Sequence, residues 1–296
     1  MYYSMSRLSV LDVRWADLFD TSASASFHKR HHNPYYELII VAEGSVHLLV
    51  EGSPLTLSVG DSILLKPWEQ HGGWDGPEGR GKFFWAQFSC EPGMEEFALH
   101  RAPELTIVHA ERTELRTVDI RHEDPVIIPR RYLTQHRYKL LSLFQQLVEK
   151  MKEPTGYFRF EATLLLAQML HQIADDFLRS SHLDTRFPVS YITFRQLVNH
   201  LNNGYDAKLS REGLEQAMDR KYEYLCQVFK KYAGTPINQY IHQLRVQRAK
   251  YLLRSTSQSV KDIAEETGYD DPFYFSRMFK RLEGVSPQQY REQSDA

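Results

Sequence analysis

The sequence predicts an α+β chain of two domains: an N-terminal β-barrel carrying a helical hairpin, then an all-α domain with two helix-turn-helix units. Three observations lead there. Short β-branched and aromatic runs broken by glycine and proline occupy residues from about Leu8 to Ile128. From about Arg131 onward the apolar spacing becomes helical. Two segments near the C-terminus then match each other as copies of one supersecondary unit. The expected division is a first domain over 1–180, a linker over 181–190 and a second domain over 191–296.

The β-rich part is read from YYELIIVAEG, VHLLVEG, LTLSVGDSILLKP and GKFFWAQFS. Strands this short and this closely spaced indicate a sandwich or barrel. In the hairpin, Leu140, Leu141, Phe144, Leu147, Val148 and Met151 follow helical spacing, and EPTG breaks the chain. The next helix, from about Tyr157, is apolar nearly all round through Leu164, Leu165, Leu166, Met169, Leu170 and Ile173. So wide an apolar surface needs two partners. One is the preceding helix. The other is the barrel or the same helix of a second copy, and the chain is expected to dimerise. SSHLDTRFPVS, with a proline and no helical period, reads as the linker.

The duplicated segments are YLCQVFKKYAGTPINQY from Tyr224 and YFSRMFKRLEGVSPQQY from Tyr274. In the second unit Ser259 is the expected N-cap, with Asp262 at the third helical position. Gly268 permits the tight turn. Asp270 or Asp271 caps the next helix, and Pro272 suits its first turn. Phe275, Met278 and Phe279 form the inward stripe. Phe273, Tyr274, Ser276, Arg277 and Lys280 lie mostly on the other side. A plain bundle with solvated basic faces is the alternative, but generic amphipathicity does not align two Phe-Lys-(Lys/Arg) steps. Between the units, PINQYIHQLRVQRAKYLLRST suits one long connecting helix.

Composition fits this picture. With 296 residues, 42% hydrophobic and 25% charged, the chain can bury a core in each domain. From Tyr191 onward there are 16 lysines and arginines against 13 acids, and before it 20 against 25. A mildly basic end on an acidic body suits a module that binds a polyanion. Cys90 and Cys226 are too few for a disulfide scaffold or a thiolate metal site. No apolar run approaches the roughly 20 residues of a membrane span. The start, MYYSMSRLSV, lacks a secretory h-region, so a cytoplasmic chain without membrane contact is expected.

The stretch from Arg245 to Arg291 resembles the AraC/XylS family of bacterial regulators. It carries Arg245 and Ala249, Ile263 and Ala264, Gly268 and Tyr269, Phe275, Arg277, Phe279 and Lys280, then Gly284, Pro287, Tyr290 and Arg291. The resemblance covers about Tyr191 to Arg291 closely and the rest loosely. It implies a regulator that binds double-stranded DNA, with side chains early on each second helix facing the bases. Those are Glu223, Cys226 and Gln227 in the first unit, and Phe273, Tyr274, Ser276 and Arg277 in the second. Arg277 suits a guanine and Gln227 an adenine, whereas Lys230 and Lys280 suit phosphates. The first unit departs from the family pattern at Gly213, Glu215, Asp219 and Lys221, and Glu223 puts an acid at a reading position.

Relatives of this length commonly place a cupin-like sensor before the DNA-binding domain. Gly60-Asp61 and the Pro67 to His71 step match such a barrel. One alternative is a metal-dependent cupin enzyme with a helical appendage. His32, Glu37 and His71 sit near the metal-ligand spacing, but Arg30 stands where a further histidine would be needed. The preferred reading has no cofactor and no catalytic residue. It is a pocket for a small polar effector, of sugar type, with Trp85 stacking and Arg30, Glu37 and His71 hydrogen bonding. Alternation puts Phe83, Trp85 and Gln87 on one face. Each candidate also has a structural alternative: Trp85 as core, His71 as a turn residue, Glu37 as the partner of a buried group. Further expected partners are a second copy and RNA polymerase. The segment before Ser26 is the candidate moving part, short and mixed in character, and the sequence leaves open whether it closes over the barrel mouth.

Overall fold

The computed structural model describes residues 1–22, 29–74, 80–98, 114–117, 125–181 and 187–294. Its contacts divide the chain into two compact units. The first comprises residues 1–107 and 123–185, the second 108–122 and 186–296. No helix among the described residues is long and apolar enough to cross a membrane.

In the first unit, β3 (Tyr36–Val50) is the organising strand. Its first half pairs antiparallel with β5 (Asp61–Leu65) and β7 (Gly81–Glu91), its second half with β4 (Ser53–Ser58) and β6 (His71–Gly73). β2 (Val10–Asp20) extends the sheet beyond β7, and β10 (Arg131–Leu133) extends it beyond β5. A second sheet has the order β8 (Glu95–Phe97), β1 (Tyr2–Ser6), β9 (Pro125–Pro129). The run ELIIV is continuously apolar after its acid because both faces of β3 are covered. Ile39 and Val41 point with Val46, Leu48 and Phe83 into the barrel. Leu38 and Ile40 point with Phe84, Ala86 and Phe88 to the opposite side, where helices cover them.

Those helices are α1 (Arg137–Lys152) and α2 (Phe158–Ser180). Leu140, Phe144, Leu147, Leu166, Met169, Leu170 and Ile173 are buried on the outer face of the sheet. The broad apolar surface of α2 is therefore divided between α1 and the strands β2 and β9. What remains open is narrower: Phe160 is 65% exposed and Leu164 47%. The N-terminal segment, the candidate moving part, is paired into the sheets over most of its length. Residues 2–6 and 10–20 are strands, and Tyr3 is fully buried between β8 and β9. The part of that segment after Ser22 lies outside the described residues.

The second unit holds α3 (Val189–Asn203), α4 (Arg211–Met218), α5 (Tyr222–Ala233), α6 (Ile237–Ser255), α7 (Val260–Glu266), α8 (Pro272–Glu283) and α9 (Pro287–Ser294). Two cores form, one around Phe194, Leu225, Phe229 and Tyr240, the other around Ile263, Phe275, Phe279 and Tyr290. Residues 114–117 belong to the first core, although in the chain they lie within the span read as the first domain. Leu115 is buried there, and Glu114 accepts from Tyr191 and pairs with Arg195. The sequence offered no periodic signal for this, because four residues are too few to carry one.

The caps explain where the helices start. Ser259 and Asp262 form a reciprocal capping box on α7. Asp271, not Asp270, caps α8 by accepting from the Phe273 N–H at 2.8 Å. The departures of the first helix-turn-helix unit are also accounted for. Gly213 lies where a Cβ would sit 2.9 Å from the Ser210 hydroxyl that caps α4. Glu215 accepts from the Tyr222 N–H at 2.8 Å and supplies the cap that Lys221 does not. Asp219 takes the left-handed conformation at φ +49°, as an aspartate tolerates better than most residues.

Candidate nucleic-acid interface and ligand pocket

The second helix of each unit presents the same face outward. Along α5, Leu225, Val228 and Phe229 are buried while Glu223, Gln227 and Lys230 are exposed. Along α8, Phe275, Met278 and Phe279 are buried while Phe273, Tyr274, Arg277 and Lys280 are exposed. Phe273 is 81% exposed, so no packing demand of this chain accounts for an aromatic there. Three candidates are less free. Glu223 is held by Arg211 at 2.5 Å, which neutralises the acid on the outer face of α5. Cys226 is half-buried against the first core. The Ser276 hydroxyl donates to the Pro272 carbonyl of its own helix at 2.9 Å. Arg277 leans toward the Tyr274 ring, 6.0 Å from its centroid.

Arg245, on the connecting helix α6, fixes the two helix-turn-helix units of the helical part to each other. Its guanidinium donates to the carbonyls of Tyr205 at 2.7 Å and Ala207 at 3.0 Å in the first unit. It also donates to Gly268 at 2.6 Å in the turn of the second. Gly268 has φ +83°, and a Cβ there would lie 2.3 Å from the Asp206 carbonyl oxygen. Only glycine allows this approach. The sequence placed Arg245 on the connector as part of the family pattern but did not reveal this role. The motif Arg245-x-x-x-Ala249 held the signal, since the alanine packs inward while the arginine, four residues earlier, spans the gap.

In the barrel, cross-strand pairing assembles a cavity of about 300 Å³. Glu37 lies opposite Gln87, and Ile39 opposite Trp85. Phe19, Leu48 and Phe83 add apolar walls, and His31, His32, Asn33 and His71 close one side. Glu37, His71 and Trp85 thus come together. Arg30 does not join them: it is exposed and reaches Gln70 at 3.4 Å. Asn33 and His31 were not singled out from sequence, because residues between strands carry no alternation. Among the described residues, no group of three or more histidine, cysteine or acidic side chains is placed to hold a metal ion.

Glu37 is buried and accepts from Asn33 at 3.1 Å and Gln87 at 2.9 Å. His71 Nδ1 meets the Glu69 carbonyl at 3.0 Å, which leaves Nε2 facing Glu37 at 3.6 Å. Burial alone would push the Glu37 carboxyl up, but His71, Gln87 and Asn33 together outweigh it and hold the pKa below the usual value. Burial would likewise lower His71, but Glu37 outweighs it and raises the imidazole.

The sign of the pH dependence follows. The raised His71 stabilises the fold fully below its unfolded pKa of about 6.5 and loses that contribution as pH rises through the folded value. The depressed Glu37 contributes above its unfolded pKa of about 4.3 and loses it as pH falls through the folded value. His71→Gln is therefore expected to flatten the decline in unfolding free energy above neutrality. Urea titrations at several pH values measure this, and an equal decline in both proteins would contradict the pairing.

Beside the pocket, Lys66 to Glu69 form a tight turn closed by the Glu69 N–H on the Lys66 carbonyl at 3.2 Å. Pro67 stands at its second position and Trp68 at its third, with φ +65°. That third position normally goes to glycine or asparagine. A bulky residue held there costs roughly 1–3 kcal/mol. The turn is over-determined: Glu69, buried, accepts from the Lys66 N–H at 3.0 Å and from Arg130 at 2.6 Å.

Comparison with known proteins agrees with this architecture. A family model described as an AraC-like ligand binding domain matches residues 17–183, and a helix-turn-helix domain model matches 214–293. A ligand-binding barrel followed in the chain by paired helix-turn-helix units defines a DNA-binding transcription regulator, not an enzyme. The chain belongs to the AraC family of such regulators. It is 26% identical to an uncharacterized HTH-type transcriptional regulator of Bacillus subtilis, over 87% of this chain and 85% of that one. It is 33% identical to the raffinose operon transcriptional regulatory protein of Pediococcus pentosaceus, over 44% of this chain and 47% of that one. It is 44% identical to an HTH-type transcriptional activator of Klebsiella pneumoniae, over 24% of this chain and 26% of that one.

Proposed function

We propose that this regulator senses a sugar or sugar derivative in the barrel and reads DNA through α5 and α8. The observation that carries the sensor reading is the cross-strand pair Glu37/Gln87 set beside Ile39/Trp85 in one cavity. A sugar needs hydrogen-bonding groups for its hydroxyls and an aromatic face for its ring, and the cavity offers both. Glu37 acts as acceptor, held in place by the Gln87 and Asn33 amides, whose second N–H groups remain for hydroxyls, and Trp85, half-buried, stacks. The kinship with a regulator of a raffinose operon supports the same class. For regulation, the effector must bind one arrangement of the protein more tightly than another.

On DNA, Arg277 pairs with a guanine and Gln227 with an adenine, while Lys230 and Lys280 hold phosphates. Phe273 and Tyr274 make apolar contact at the groove. Glu223, tied to Arg211, contributes little readout, Cys226 packs against the core beneath α5, and the Ser276 hydroxyl stays on a carbonyl of its own helix. A second copy covers Phe160 and Leu164 of α2, so the working form is a homodimer. Sedimentation at micromolar concentration is then expected to give twice the monomer mass.

Calorimetry of the full chain against a panel of sugars tests the sensor reading. Binding of one class, abolished in Trp85→Ala and Glu37→Gln, is the expected result. A panel that gives no heat would remove the sugar and leave a metabolite of different chemistry.

A further inference from the structure

The left-handed residue beside the pocket is the feature that neither the fold nor the pocket walls explain. Trp68 is 64% exposed, so its indole contributes little to any core. The backbone nevertheless holds it where glycine belongs, at φ +65°. Its N–H donates to the Asn33 carbonyl at 2.7 Å. Its ring lies 6.2 Å from that of His32, with 41° between the planes. Asn33 and His32 both line the cavity. An aromatic face is thus fixed one residue beyond the cavity wall, on a turn locked by Glu69 and Arg130. Strain kept at a rigid turn to display an exposed ring beside a binding cavity is a mark of a ligand contact.

We propose that Trp68 is a second stacking surface at the mouth of the pocket, and that the effector is a glycoside of at least two linked rings. This rests on the sugar reading above. One ring sits inside against Trp85, among Glu37, Gln87 and Asn33. The glycosidic bond leads out past His32, and the next ring lies on Trp68. The cavity walls then select the inner sugar, and Trp68 selects for its being linked rather than free.

The test uses the full chain and pairs of probes: methyl glycosides of common hexoses and pentoses, each against a disaccharide carrying the same ring. The variants are Trp68→Gly, which relieves the left-handed strain, and Trp68→Tyr, which restores an aromatic face. Wild type is expected to bind the matching disaccharide roughly tenfold more tightly than its methyl glycoside. Trp68→Gly should lose most of that advantage, bind the single ring within about twofold of wild type, and melt no lower than wild type. Trp68→Tyr should recover part of the advantage. Disaccharide binding should also shift tryptophan emission further to shorter wavelength than the methyl glycoside does in wild type, whereas in Trp68→Gly, where Trp85 alone meets the sugar, the two shifts should be equal. If single and linked sugars bind equally, or Trp68→Gly weakens both alike, the second subsite is wrong while the sugar reading stands. If no sugar of either kind binds, the sugar reading falls and the subsite with it.

Discussion

Arg245→Ala is expected to lower the stability of the helical unit by roughly 2–4 kcal/mol, from the loss of three charge-assisted hydrogen bonds to main-chain carbonyls. The carbonyls of Tyr205, Ala207 and Gly268 lose a common donor, and the approach of residues 205–207 to the second turn loses its clamp. The consequence for DNA exceeds the loss of stability. Two reading helices joined rigidly bind as one bivalent ligand, and loosening the joint forfeits that advantage, typically worth a hundredfold or more. Affinity for a duplex spanning both grooves should fall by about that factor, while affinity for a one-groove duplex changes far less. Arg245→Lys should recover little, because an ammonium cannot span three carbonyls as the planar fork does. Denaturant titration and binding to the two duplexes measure the two effects. Equal loss on both duplexes would mean that Arg245 supports folding and does not set the spacing of the units.

The second large effect separates reading from holding. Arg277→Ala is expected to cost roughly 1–3 kcal/mol and to relax preference at one or two base pairs. Lys280→Ala, one turn further along the same exposed face, should weaken all sequences alike and reduce the salt slope by about one. The difference lies in chemistry: a guanidinium matches two acceptors of guanine at once, whereas an ammonium is a point charge. Competition with a panel of single-base variants, repeated at three salt concentrations, distinguishes them. If neither variant changed sequence preference, Arg277 would be a phosphate contact.

The helical unit was legible because its signals are local. Caps at Ser259 and Asp271, glycine at Gly268 and the inward Phe275, Met278 and Phe279 all lie within one unit, and the repeat states the inward stripe again at Leu225, Val228 and Phe229. In the barrel, alternation along β7 was enough to place Phe83, Trp85 and Gln87 on one face. Other features depend on contacts distant in sequence. α2 packs on β2 and β9 as well as on α1, and only tertiary packing could show how much of its apolar surface that leaves open. The N-terminal segment is short and mixed in character, and nothing in its pattern announces that its first strand pairs on both sides. Arg30 sat near the right spacing, but spacing alone does not say which way a loop side chain turns. Trp68 passed unnoticed because φ is not written in the sequence, although a proline-tryptophan step in a tight turn hints at it.

The claim on which the rest depends is that both helix-turn-helix units of one chain engage DNA together. The connecting helix has 19 residues, about 28 Å at 1.5 Å per residue, close to the roughly 34 Å repeat of the major groove. Footprinting on a duplex selected from a random pool by the full chain tests it most directly. The account predicts protection in two adjacent major grooves per subunit on one face of the DNA, with the stronger sequence preference under α8. Protection confined to a single groove per subunit would contradict it.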